Sequence, residues 1–409
     1  MTRPSFAQAR PFRLAVLGSM AVLAALSGTA PAVAQPPTGT VYVQGNVADS
    51  PGNQIIGFKR DAAGKLTQLP GSPYSAGGAG IAPSFNLGPY DSDSELITNS
   101  SNTLLYATNG GSNTIAAFSF KTNGALVPIA GSPFSSGGSD PVGLAISGDK
   151  MVVVNDPGQA SLFLQSYSTL QIATDGSLKP IYGSSFSVDL GSSPSQAYIP
   201  YTDSNLVFGC DFLGGILRSF KLQNNGSLTL VNEQALPPDE FALTGAPPLP
   251  LGLWSSPNAR VLYVGFVTIN RMGVYQYDKK GNLSFLRSVP NSGKGICWIR
   301  SNQAGTRLYT SNTTDPSISV YDTSIDPTEP IEIQRVVLAG QSNVYQITLD
   351  PAEEWFYAVT QRNSASLPST ANALHVLKVA DDGTLLEVPT SPTPLNVPAS
   401  SRPQGVVAF

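Results

Sequence analysis

The chain has 409 residues, a formal net charge of −4 and only 12% charged residues, which excludes the clustered basic face that nucleic acid demands. Its 41% hydrophobic content argues against disorder, so 39 glycines and 34 prolines read as turns between short strands. One histidine and two cysteines exclude a metal centre built on nitrogen or sulfur ligands.

Residues 1–34 have the layout of a secretory leader: Arg3, Arg10 and Arg13, then the apolar stretch Leu14 to Leu26, then Ala32-Val33-Ala34 before Gln35. The apolar stretch is shorter than the roughly 20 residues of a membrane span. The expectation is export of residues 35–409 to the periplasm or beyond, as a monomer with no membrane insertion after cleavage.

From residue 40 one pattern repeats. A turn ends each unit's third strand, at Gly64-Lys65-Leu66, Gly124-Ala125-Leu126, Gly176-Ser177-Leu178, Gly226-Ser227-Leu228, Gly281-Asn282-Leu283 and Gly383-Thr384-Leu385. Asn or Asp before the glycine, at Asn123, Asp175, Asn225 and Asp382, suits a tight hairpin that needs a positive φ. One unit replaces it with the glycine-free turn Ile325 to Pro330. An alternating strand precedes each turn, and before that comes a strand with an aromatic, as at Tyr42, Tyr106, Phe208, Tyr263, Tyr309 and Tyr357. A more apolar strand comes earlier still, as at Pro141–Ile146, Pro250–Trp254, Ile296–Ile299 and Val344–Leu349.

Four antiparallel strands per unit and seven units predict an all-β, seven-bladed β-propeller. The chain begins on a second strand, Thr40 to Gln44, and stops on a first strand, Arg402 to Phe409. Pairing these ends would complete blade one and hide the sheet edge. Cys210 and Cys297 fall two blades apart, and geometry decides whether an oxidising compartment bridges them.

These residues resemble the seven-bladed lactonase-type propellers, the group of phosphogluconolactonases, carboxymuconate cyclases and Tyr-Val-Thr-Asn repeat proteins. The likeness rests on Tyr106-Ala107-Thr108-Asn109, Tyr309-Thr310-Ser311-Asn312, the Gly-x-Leu turns and the exits Gly71-Ser72-Pro73-Tyr74 and Gly131-Ser132-Pro133-Phe134, and it spans residues 40–409. It implies a hydrolase or cycloisomerase acting on a small lactone without metal or other cofactor. Lactonase-type members often place Gly-Pro-Arg-His at an inner-strand start; the starts here, Asp140 to Gly143, Ser193 to Gln196, Leu249 to Gly252, Gly293 to Gly295 and Ser401 to Gln404, contain no histidine. No catalytic residue therefore carries over, and a non-catalytic exported propeller binding a protein, glycan or small ligand is the competing expectation.

Loops entering the first strands and loops joining second to third strands share one face around the channel mouth. Opening a lactone there would need a base for water and a cation for the oxyanion. Asp140 or Asp211 could be the base, and Lys294 or Arg402 the cation. Asn109, Asn155, Asp156, Arg271, Trp298, Asn312 and Arg362 are the candidate substrate contacts. A competing reading makes the Asn and Asp side chains acceptors of turn hydrogen bonds. His375 falls in the middle of a third strand, away from the mouth. The glycine pairs Gly77-Gly78 and Gly137-Gly138 lack the lysine and helix of a phosphate loop. A calcium site at Asp91 to Asp93 and the course of the insertions 236–250 and 363–373 stay open.

Overall fold

The computed structural model describes residues 34–50, 52–81, 93–158, 163–240 and 245–409. The proposed leader and Asp91 lie outside them. Residues Val33–Phe409 form a unit holding seven antiparallel sheets, each a blade of at least four strands. Blade 1 has the order Gln404–Ala408, Thr40–Gln44, Gln54–Arg60, Leu66–Gln68, so the two ends of the chain pair as expected. At that seam Gly39 donates its amide to the Phe409 carbonyl, and the Phe409 amide bonds Thr40 at 2.9 Å. The Phe409 ring packs 5.9 Å from Tyr42 and 5.4 Å from Phe120. No helix among the described residues is long and apolar enough to cross a membrane.

The core lies between blades. Leu104, Tyr106 and Ile115 of blade 2, for example, pack on Leu144, Met151 and Val153 of blade 3. Two sequence motifs meet at these faces. Tyr106 of one second strand donates its hydroxyl to the Gly176 carbonyl in the next blade's hairpin at 3.1 Å, and Tyr309 does the same to Gly383 at 3.0 Å. Tyr42 bonds Gly124 likewise. At the glycine-free turn of blade 6, Tyr263 of blade 5 finds Pro327 instead, at 2.7 Å. A buried phenol needs such a partner, and the carbonyl of a tight turn is free to accept.

The first strands surround the channel. Most carry a register shift near their entry end: between Pro141 and Gly143, Pro194 and Gln196, Pro250 and Leu253, Ile296 and Ile299, and Val344 and Ile347. A bulge re-aims the side chains beside it. The residues so placed include Gln196, Trp298, Tyr345 and Gln346.

Candidate functional site at the channel entry

Buried polar groups form three sets near the entry ends of the first strands. The first clasps the channel. Asp93, preceding the first strand of blade 2, accepts two hydrogen bonds from Arg300 of blade 6, at 2.6 and 2.7 Å. Gln196 of blade 4 adds a third at 3.1 Å, and the Trp254 ring lies 4.5 Å from the Arg300 guanidinium. With Asp93 so engaged, the open question of calcium at Asp91 to Asp93 receives no support from it.

The second set lies across blades 6, 7, 1 and 2. Arg402 donates to the Gln361 amide oxygen at 3.0 Å and to the Tyr345 hydroxyl at 3.2 Å. The Tyr345 ring packs 5.0 Å from Trp298, which is wholly buried. Gln346, next along the strand, donates to both oxygens of Glu95 at 3.1 Å. Gln404, two residues after Arg402, is 1% exposed, and its amide makes no hydrogen bond among the described residues. A carboxylate, a guanidinium and uncommitted amide dipoles can together hold and polarise a polar small molecule.

The third set is acidic and belongs to blades 3 and 4. Asp140 has φ 56° and packs its carboxylate against Gly110, while its backbone carbonyl accepts the Asp156 amide at 2.9 Å. Desolvation pushes Asp140 up to about 7. Asp156 is fully buried and rises to about 8, chiefly through desolvation and further through the charges of Asp140 and Asp211, against one hydrogen bond from Gly158. Asp211 has a different fate. Its oxygens accept from the Ser193 amide at 2.8 Å, the Gly214 amide at 2.9 Å and Arg218 at 3.0 Å, so it braces the loop and is not poised as a base.

The remaining candidates are structural or peripheral. Asn109, Asn155 and Asn312 end the second strands of blades 2, 3 and 6, and each is wholly buried in a staple. Asn109 bonds Ala76 at 3.0 Å and Thr114 at 3.2 Å; Asn155 bonds Ser168 at 3.0 Å; Asn312 bonds Ser317 and Ser319 at 3.0 Å. In each of these bonds the asparagine amide donates, so the three side chains are structural donors and not acceptors of turn backbone bonds. Lys294 is exposed on the rim, so Trp298 faces Tyr345 rather than Lys294. Arg271 bonds Ser288 and pairs with Glu240 at 3.5 Å, away from the first strands. Arg362 ties down the 363–373 insertion through the Leu367 and Ala399 carbonyls. Of the expected site residues, then, Arg402 and Trp298 come together, and so do Asp140 and Asp156. Cys210 and Cys297 are buried and not bridged.

Glu95, Tyr345, Gln346, Gln361 and Gln404 escaped sequence reasoning. Structurally, Glu95 and Gln346 share a place with Trp298: Trp298 and Gln346 each directly precede the residue that re-enters register with the second strand, and Glu95 directly precedes the first residue paired to it.

No family model matches the chain, and no curated protein sequence does. Solved structures do. The periplasmic gluconolactonase of Pseudomonas aeruginosa superposes with a TM-score of 0.65 at 15% identity, covering 90% of this chain and all of that one. A Bacteroides uniformis protein provisionally named a 6-phosphogluconolactonase gives 0.66 at 15%, with 90% and 100% coverage. A Lactobacillus plantarum protein gives 0.66 at 15%, with 89% and 98%. This chain shares their fold. At such identities the likeness extends to the ring of blades and not to side chains.

Proposed function

We propose that this chain opens a small lactone at the channel entry, with Glu95 activating water and Arg402 holding the oxyanion. The observation that carries this reading is a pair of buried sets, Arg402 with Gln361 and Tyr345, and Glu95 with Gln346, that adjoin at the neighbouring residues Tyr345 and Gln346. Gln346 donates to both Glu95 oxygens, which fixes the orientation of that carboxylate. Gln404 supplies an amide for a substrate hydroxyl or carbonyl, since a buried amide gains from any polar partner. The shared fold with a protein named as a periplasmic gluconolactonase supports both the chemistry and export by the 1–34 leader.

The test is hydrolysis of a panel of sugar and aromatic lactones, with Glu95→Gln and Arg402→Gln beside the parent protein. A positioned base contributes about 10²–10⁴-fold, so Glu95→Gln should lower kcat by at least about 100-fold while the fold survives by circular dichroism. Parent protein no faster than buffer, or a variant as fast as the parent, would overturn the reading. The competing reading, a non-catalytic binder, is favoured by the burial of the strand-end asparagines in staples. Binding of a lactone without turnover would select it.

A further inference from the structure

The 363–373 insertion joins the second and third strands of blade 7. It roofs a separate cavity of about 280 Å³ in blade 7, whose floor includes Thr360 and His375 and whose roof includes Leu367, Pro368 and Ala371. The roof is pinned in place: Arg362 bonds the Leu367 carbonyl, Asn363 bonds Asn343 at 2.8 Å, and Asn372 bonds the Ser401 carbonyl at 3.1 Å. Such a cavity is preformed, and a ligand entering it need not order the loop.

Its polar feature is directional. The Glu387 carboxylate accepts from Ser391 at 2.6 Å and from the Ala339 amide at 2.8 Å. Burial opposes its charge, but these bonds and the one from the His375 ring hold its carboxyl below the ordinary range, so it is ionised. An ionised carboxylate only accepts, hence the 2.6 Å contact to His375 Nδ1 fixes the ring proton on Nδ1. In the neutral ring Nε2 is then a lone pair, aimed toward Thr360 Oγ1 at 3.3 Å. That hydroxyl has other acceptors at similar range, the Ala371 carbonyl at 3.3 Å and the Ala373 carbonyl at 3.4 Å. The acceptor on the cavity floor is therefore weakly used.

We propose that this cavity is a second ligand site, distinct from the channel entry, for a compact phenol or alcohol whose hydroxyl donates to His375 Nε2. An apolar space of about 150 Å³ holds benzene, so this one has room for one or two fused rings. The neighbouring Glu387 charge disfavours anions of the same size.

His375 is the only histidine, so in untagged protein labelled with ¹⁵N-histidine the imidazole signals report this site alone. Titration with 2-naphthol should shift the Nε2 resonance in a saturable way. Naphthalene, which has the same body without a donor, should bind at least tenfold more weakly, and 2-naphthoate should not bind. Ala371→Phe fills the cavity from the insertion side, and it should abolish the titration. An unshifted Nε2 resonance, equal affinity for naphthalene, or binding that survives Ala371→Phe would each overturn the proposal. None of these readouts depends on lactone turnover.

Discussion

At the scale of single residues the candidate acids part company by what surrounds them. Asp211 has two backbone donors and a guanidinium, whereas Asp156 has one backbone donor, two acidic neighbours and no solvent. The consequence is a pH dependence of known sign. In the unfolded chain Asp156 titrates near its ordinary 3.8; in the fold it holds its proton up to about 8. Between those values the native state binds a proton that the unfolded state has lost, so stability falls as pH rises. The slope approaches about 1.4 kcal/mol per pH unit for one such group. Asp156→Asn should leave stability at pH 4 nearly unchanged, flatten the decline between pH 5 and 8, and stabilise the protein at pH 8. Urea unfolding across that range checks it, and an unaltered slope would mean the carboxyl is not held neutral. The sequence showed Asp156 to be at a strand end. It could not show that Arg218 serves Asp211 and Glu233 but not Asp156, because which carboxylates receive the guanidinium depends on rotamers and not on the repeat.

At the scale of elements, much was legible because the repeat itself encodes contacts between blades. The tyrosines and the Gly-x-Leu turns were visible as separate motifs, and they prove to be two halves of one hydrogen bond. The glycine pairs lacked the marks of a phosphate loop, but their purpose needed coordinates. A Cβ on Gly78 would lie 2.7 Å from the Asn109 amide, one on Gly138 2.4 Å from Asn155, and one on Gly293 2.1 Å from Asn312. Each glycine leaves room for the asparagine that closes the following second strand. Gly138→Ala should therefore destabilise by about 1–3 kcal/mol through overpacking. If the clash is the cause, Asn155→Ala made in the Gly138→Ala background should cost less than Asn155→Ala alone. A double-mutant cycle in urea reads the difference directly, and strict additivity would reject the pairing. The bulges at the first strands were not legible, because one extra residue in a strand leaves no mark in an apolar alternation. That is why Trp298 was placed beside Lys294 and why Glu95 and Gln346 went unnoticed.

At the scale of the molecule, a ring of blades has two ways to come apart, at its seam and across its channel. The seam was legible from the unpaired first and second strands at the chain ends, since sheet edges seek partners. The channel clasp was not, because Asp93 and Arg300 are 207 positions apart and no local pattern joins them. Asp93 is 1% exposed at the side chain and Arg300 13%, so the pair is desolvated on both sides. Removing one partner of such a pair leaves a buried charge without compensation and costs about 3–5 kcal/mol, while replacing both costs far less. Arg300→Met should accordingly destabilise the ring by that amount, and Asp93→Asn combined with Arg300→Met should recover most of it. The recovery distinguishes electrostatics from packing. If Arg300 acts mainly by filling space against Trp254, Asp93→Asn alone would be mild and the double variant no better than Arg300→Met. The unfolding transition should also stay single for every variant, because blades 2, 4 and 6 meet at this one carboxylate. A variant that unfolds in two steps would show that the blades are held by their faces alone.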